Sequence, residues 1–263
     1  MYSPAPFGSR GIISRRFPRP PELLESSVAM TDVITVPVVP RVPVHGGGEF
    51  PVRRIFCVGR NYAEHAAEMG HDARESPFFF MKPADAVLPA RAGEPVAMDY
   101  PTLTNDLHHE IELVVAIGDA AAGNGRDVAE EDATRLIFGY AVGLDMTRRD
   151  LQAVAKKAGR PWSIAKGFDQ SAPIGAIHRI EETGELTAGA ITLDVDGTQR
   201  QRGDLSDLLW NVRETIAWLS RAWTLKPGDL IFTGTPAGVA AVGRGQTLTG
   251  RIAGLGELVV KLR

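Results

Sequence analysis

Leu113-Val114-Val115-Ala116-Ile117, closed by Gly118 and entered through Asp106-Leu107-His108-His109-Glu110-Ile111-Glu112, limits what this chain can become. A short apolar run rich in β-branched residues and stopped by a turn residue reads as a buried strand. Side chains alternate along a strand. His108, Glu110 and Glu112 are therefore expected on one face, with His109 and Ile111 on the other. The two carboxylates would stand roughly 7 Å apart at the backbone. On a solvated edge strand they would be inert. Partly buried, they would repel each other strongly. A hard divalent cation relieves that repulsion, and oxygen ligands suit magnesium, calcium or manganese.

Other stretches supply further strands. Arg54-Ile55-Phe56-Cys57-Val58-Gly59 and Phe78-Phe79-Phe80-Met81-Lys82-Pro83 are apolar runs. Residues 134–144 run apolar into Asp145, and Leu230-Ile231-Phe232 leads into a Gly- and Thr-rich loop. Residues 190–200 alternate as a hairpin turning at Asp196-Gly197, and the last 20 residues alternate into a strand pair. Residues 84–105 read as turns and short strands, and 119–133 as a loop and an acidic helix start. Two helices are expected. One covers 62–69, capped by Asn61 and closed by Gly70. The other covers 206–223, capped by Ser206, with Leu208, Leu209, Val212, Ile216 and Leu219 on one side.

The N-terminal region differs. Residues 1–30 carry Arg10, Arg15, Arg16 and Arg19 before any acid. That stretch reads as a disordered tail, either transit-like or preceding a true start at Met30. Residues 31–52 read as an extended arm with a Gly46-Gly47-Gly48 joint, and 53–263 as the catalytic domain. With 44% hydrophobic and 23% charged residues, the 263-residue chain has the composition of a soluble globular protein. A net charge of −3 with no large basic block argues against nucleic acid as a partner. No apolar run is long enough for a membrane span. The single cysteine, Cys57, allows no internal disulfide and points to a reducing, cytoplasmic setting. Its apolar neighbours mark it as a structural thiol.

Several residue pairs carry candidate chemistry. His65 and Glu68, three apart on the expected helix, meet on one face. A carboxylate beside an imidazole orients it and raises its basicity, as a general base requires. A surface Glu–His pair is the plain alternative. Asp145, at the end of an apolar strand and ahead of a helical pattern, is a third candidate oxygen ligand beside Glu110 and Glu112. Arg149 and Gln152 fall on one face of the helix that follows. Lys82 at a strand end can meet an anion or reach to water. Lys166, among Trp162, Ile164 and Phe168, is costly to bury unpaired. Thr233-Gly234-Thr235-Pro236 can offer amides and a hydroxyl to a carboxylate. The Walker loop, the dinucleotide fingerprint, the zinc deaminase signature and the Gly-x-Ser-x-Gly elbow are all absent.

Taken in order, six blocks resemble the fumarylacetoacetate hydrolase superfamily. They are Gly59-Arg60-Asn61-Tyr62 with His65, Phe80-Met81-Lys82-Pro83, and His108-His109-Glu110-Ile111-Glu112-Leu113. Then come Gly143-Leu144-Asp145-Met146-Thr147-Arg148-Arg149-Asp150-Leu151-Gln152, Ser163-Ile164-Ala165-Lys166, and Thr233-Gly234-Thr235-Pro236. The resemblance covers residues 52–263 and implies an α+β fold, a mixed β-sandwich roll with short helices, usually as a homodimer. It implies Mg²⁺ or Mn²⁺ on Glu110, Glu112 and Asp145. It further implies His65 and Glu68 as a dyad on a lid helix. Lys166, Gln152 and Thr235 would surround the substrate. Arg60 or Arg149 could meet a far carboxylate, and Lys82 is a further candidate substrate contact.

The run from Pro77 to Ala86 is similar to the branch that cleaves acylpyruvates. The implied activity is hydrolysis of a carbon–carbon bond in a small 2-oxo acid, fumarylpyruvate of gentisate catabolism above all, giving fumarate and pyruvate. Competing expectations are oxaloacetate decarboxylation, isomerisation or decarboxylation of a 2-hydroxy-dienedioate, and a 2-oxo-acid-binding protein without catalysis.

Overall fold

The computed structural model describes residues 32–62 and 75–263. Contacts divide the chain into two units, Met1–Pro37 and Val38–Arg263. In the first, residues 32–37 are exposed and carry no strand or helix. The second holds the sheets and the candidate site.

The central sheet has eight strands and is mixed. Its path runs Phe78–Lys82, Arg54–Gly59, Asp229–Phe232, Ile111–Ile117, Ile137–Leu144, Ala172–Ile174 and Val87–Pro89, with His178–Arg179 also pairing with Ile137–Leu144. A five-stranded sheet lies in the order Thr198–Asp204, Ala190–Val195, Thr247–Ile252, Gly256–Leu262, Val96–Met98. These two sheets face each other. Ile111, Leu113, Val115 and Val142 of the first share a core with Ile191, Leu193, Leu248 and Val260 of the second. Gly250 permits the close approach, since a Cβ there would fall 2.5 Å from Ile111 Cδ1. The opposite face of the central sheet holds a second core with Val114, Ala116, Leu230, Phe232 and Cys57. A strand buried on both faces needs apolar residues at every position, which accounts for the unbroken run from Leu113 to Ile117.

The second core also takes in Val42, Val44, Phe50 and Val52, from the hairpin of Arg41–Pro43 and Glu49–Pro51. Residues 41–52 of the stretch read as an extended arm are thus packed against this sheet. Three consecutive glycines with positive φ form its turn. Ala190–Val195 and Thr198–Asp204 pair across Asp196 (φ 50) and Gly197 (φ 76), the two positive φ values that a type I′ hairpin needs. The final strand pair forms as expected. Cys57 is fully buried, and burial pushes its thiol well above the ordinary value, which keeps it protonated.

Two expectations change. The strand through residues 106–117 is broken at His109 and Glu110. Leu107–His108 pairs instead with Thr147–Arg148 and Ala241–Val242 in a separate three-stranded sheet. The later helix spans Val212–Ala222, and its cap is Asn211, not Ser206. Asn211 Oδ1 accepts from Glu214 N at 3.0 Å while Glu214 Oε2 accepts from Asn211 N at 3.0 Å. Among the described residues, the Asn61 side chain donates to the Trp210 and Thr233 carbonyls and accepts from the Trp210 amide, each at 2.8 Å. The helix expected at 62–69 lies, beyond Tyr62, outside the described residues. Among those described, no helix is long and apolar enough to cross a membrane.

Candidate active site

Two antiparallel strands bring the acids together. Ile111 pairs with Leu144, so the start of one strand meets the end of the other. Glu110 and Glu112 flank the first position and Asp145 follows the last. A backbone hydrogen bond from Asp145 N to Glu110 O, 2.9 Å, pins the junction. One oxygen from each of Glu110, Glu112 and Asp145 lies within 4.8 Å of the others, and all three side chains are buried. His108 does not join them. Its Nε2 contacts Asp106 Oδ1 at 2.8 Å, because the strand break turns it into the smaller sheet.

Charge explains what the cluster needs. Burial, then Asp145 and then Glu110, push the Glu112 carboxyl well above the usual carboxylate range, against the weaker pull of Lys166 and the Gly234 amide. Lys166 Nζ donates to Glu110 Oε2 at 2.8 Å and to Asp145 Oδ2 at 2.6 Å. Burial works against this ammonium, but Asp145 and Glu110 outweigh it and hold its pKa above the ordinary lysine value. Lys82 Nζ lies 2.7 Å from Asp145 Oδ1. Arg149 donates to Glu110 Oε1 at 2.6 Å and to Gln152 Oε1 at 2.5 Å. The acids Glu110, Glu112 and Asp145 are thus matched in number by Lys82, Arg149 and Lys166.

A convergent, buried, all-oxygen donor set with one carboxyl under like-charge strain fits a hard divalent cation. Glu110, Glu112 and Asp145 are the residues that could hold it.

A cleft opens over the acids. Its walls include Phe78, Phe80 and Trp162, with the Trp162 ring 5.5 Å from Phe78 and 5.6 Å from Phe80. Arg60 lines it too, with its guanidinium 5.2 Å from the Phe78 ring and φ at 56. Among the described residues its Nε has no hydrogen-bond partner. Gly59 is needed beside it, because a Cβ there would sit 2.0 Å from Phe78 Cζ. The loop after Asp229–Phe232 closes another side. Gly234 N donates to Glu112 Oε2 at 2.8 Å, so its amide is directed to the chain's own carboxylate.

Of the residues singled out from sequence, Arg60, Glu110, Glu112, Asp145, Arg149, Gln152, Lys166 and Thr235 meet around this cleft. Lys82 is brought to the cluster but not to the cleft wall. It is buried behind Asp145, bonded also to the Met146 carbonyl at 3.2 Å and to the Lys166 carbonyl. His65 and Glu68 lie outside the described residues.

Gln201 was not foreseen. Its Oε1 accepts from Ile111 N at 3.1 Å and contacts His109 Nδ1 at 2.8 Å. Its Nε2 donates to Thr235 Oγ1 and the Pro236 carbonyl, each at 2.8 Å. Burial lowers His109 to about 4, so its ring is neutral. Nothing local marks Gln201, which sits in the polar run Gln199-Arg200-Gln201-Arg202.

Known proteins share this fold. Residues 54–263 match the fumarylacetoacetate (FAA) hydrolase C-terminal family, and the chain belongs to the fumarylacetoacetate hydrolase superfamily of enzymes. It is 52% identical to a fumarylpyruvate hydrolase of Pseudomonas aeruginosa whose crystal structure holds Mn²⁺ and pyruvate. That match covers 88% of this chain and 99% of the other, with a TM-score of 0.85. It is 44% identical to a fumarylpyruvate hydrolase of a Ralstonia species, over 70% of this chain and 91% of that protein. It is also 42% identical to an oxaloacetate tautomerase of Escherichia coli, over 76% of this chain and 89% of that protein.

Proposed function

We propose that this enzyme hydrolyses fumarylpyruvate or a close acylpyruvate to pyruvate and a carboxylic acid, with a divalent cation on Glu110, Glu112 and Asp145. The observation that carries this reading is the buried convergence of those three carboxylates under an aromatic cleft that also contains Arg60 and Arg149. The Pseudomonas neighbour with Mn²⁺ and pyruvate supports it. Magnesium as the working ion and a homodimer belong to the same reading and rest on the sequence resemblance, and a cytoplasmic setting rests on the single cysteine.

When bound, the cation supplies Lewis acidity toward a 2-oxo acid. The chain's own groups do the rest. Lys166 places a fixed ammonium beside the acids, where negative charge develops as the carbon–carbon bond breaks. Gln201 Nε2 donates to Thr235 Oγ1. The Thr235 hydroxyl proton is therefore left to donate elsewhere, and the cleft is beside it. Arg60, stacked on Phe78, is suited to a distal carboxylate. On sequence grounds His65, oriented by Glu68, takes a proton from water as its oxygen adds to the distal carbonyl carbon. The bond from that carbon to C3 breaks, its electrons pass to the pyruvate fragment, and C3 then takes up a proton.

A second reading is enolisation or decarboxylation of oxaloacetate, the first favoured by the Escherichia coli tautomerase and the second by a 38% identical oxaloacetate decarboxylase of Dictyostelium discoideum. Both use the same acids and Lys166. They differ in the distal group, because oxaloacetate offers no acyl carbon beyond C3 for water to attack. Assay of pyruvate and fumarate release from fumarylpyruvate, beside the decay of enol and keto oxaloacetate, separates them. Equimolar fumarate and pyruvate support hydrolysis. Turnover of oxaloacetate alone overturns it.

A further inference from the structure

A second group of metal-ligand side chains lies away from the cleft. His45 leaves the Arg41–Pro43 strand, His178 sits on the His178–Arg179 strand, and Glu182 lies in the short helix Ile180–Thr183. One ligand atom from each falls within 4.8 Å of the others. His178 pairs with Tyr140, and along an extended strand Tyr140 is roughly 16 Å from Asp145. The two clusters are therefore separate.

We infer that His45, His178 and Glu182 form a peripheral site for a borderline transition-metal dication, with zinc the best match to their two imidazoles and one carboxylate.

Two features argue for it. The first is spacing. His45 Nδ1 and Glu182 Oε2 are 3.3 Å apart, long for a hydrogen bond between such groups. It equals the edge of a tetrahedron built with bonds of about 2.05 Å, which is about 3.3 Å. The His45 and His178 rings are near-parallel at 14°, with centroids 4.3 Å apart, so a tilt of the exposed His45 ring would bring the second imidazole to the same ion.

The second feature is anchorage. His45 N donates to the Ile177 carbonyl at 2.8 Å, next to His178, and Gly184 N closes the Glu182 turn on the Ile180 carbonyl at 2.8 Å. The backbones bearing the ligands are fixed before any ion arrives, which reduces the ordering cost of binding.

The nitrogen donors distinguish this site from the carboxylate cluster. Imidazole suits zinc, copper and nickel, whereas all-oxygen sets suit magnesium and manganese. Equilibrium dialysis of metal-free full-length protein against zinc, in excess magnesium, tests the inference. The wild type is expected to bind one zinc equivalent that His45→Ala and His178→Ala each weaken at least tenfold. Both variants should bind manganese with the wild-type stoichiometry. His45 is exposed, so its replacement leaves the core intact. Zinc binding of equal stoichiometry and affinity in the wild type and both variants overturns the site, as does wild-type protein that takes up no zinc in excess magnesium.

Discussion

Lys82 Nζ and Asp145 Oδ1 lie 2.7 Å apart with both side chains buried. A lysine inside the β-rich body thus meets one oxygen of an acid whose other oxygen is bonded to Lys166. Removing one partner of a buried pair that nothing else compensates costs about 3–5 kcal/mol, and Lys166 keeps part of that compensation at Asp145. Lys82→Met is expected to lower unfolding stability, by less than that figure, in urea titration of the metal-free protein. Excess manganese should recover part of the loss, because the cation would take over the neutralising role at Asp145.

Glu112→Gln should act in the opposite direction. Its carboxyl is disfavoured by burial and by Asp145 and Glu110. The neutral amide keeps an oxygen for the Gly234 N–H. Metal-free Glu112→Gln is expected to melt at or above the wild-type temperature and to gain nothing from added manganese, which should stabilise the wild type.

Lys166→Met removes the ammonium shared by Glu110 and Asp145. Loss of a preorganised charge at a reacting centre costs about 10²–10³ in rate. The expected result is a fall in kcat of that order on fumarylpyruvate. It should persist at saturating metal, which steady-state kinetics across a manganese series would show.

Gln201→Leu leaves the Ile111 amide without its acceptor and the Thr235 hydroxyl without its donor. Each buried polar group left unpaired costs about 1–3 kcal/mol. Lower stability is expected together with a raised KM, as Thr235 loses its fixed orientation. Thr235→Val should raise KM similarly with a smaller stability loss, and comparison of the two variants separates the effects.

Sequence carried the acids well. Glu110, Glu112 and Asp145 each sit beside an apolar strand, and pairing of Ile111 with Leu144 brings them together. Alternation alone misplaced His108, because no glycine or proline marks the strand break at His109 and Glu110. The cap of the Val212–Ala222 helix was legible in principle. Asn211 and Glu214 have capping-box spacing, but Leu208 and Leu209 extend the apolar pattern backward and favoured Ser206. Gln201 is harder. Its partners lie 34 or more residues away in sequence, so no local pattern announces it. Lys82 was marked as a lysine able to meet an anion, but its partner Asp145 lies on another strand. The aromatic walls from Phe78, Phe80 and Trp162 likewise form only when distant segments meet.

Release of pyruvate from fumarylpyruvate by chelator-treated enzyme, before and after manganese or magnesium is restored, tests the central claim most directly. The wild type is expected to be inactive when stripped and active when reloaded, while Glu112→Gln stays inactive in both states. Pyruvate release at the loaded rate from stripped wild type, or from Glu112→Gln, would contradict a cation held by these three acids as the basis of the reaction.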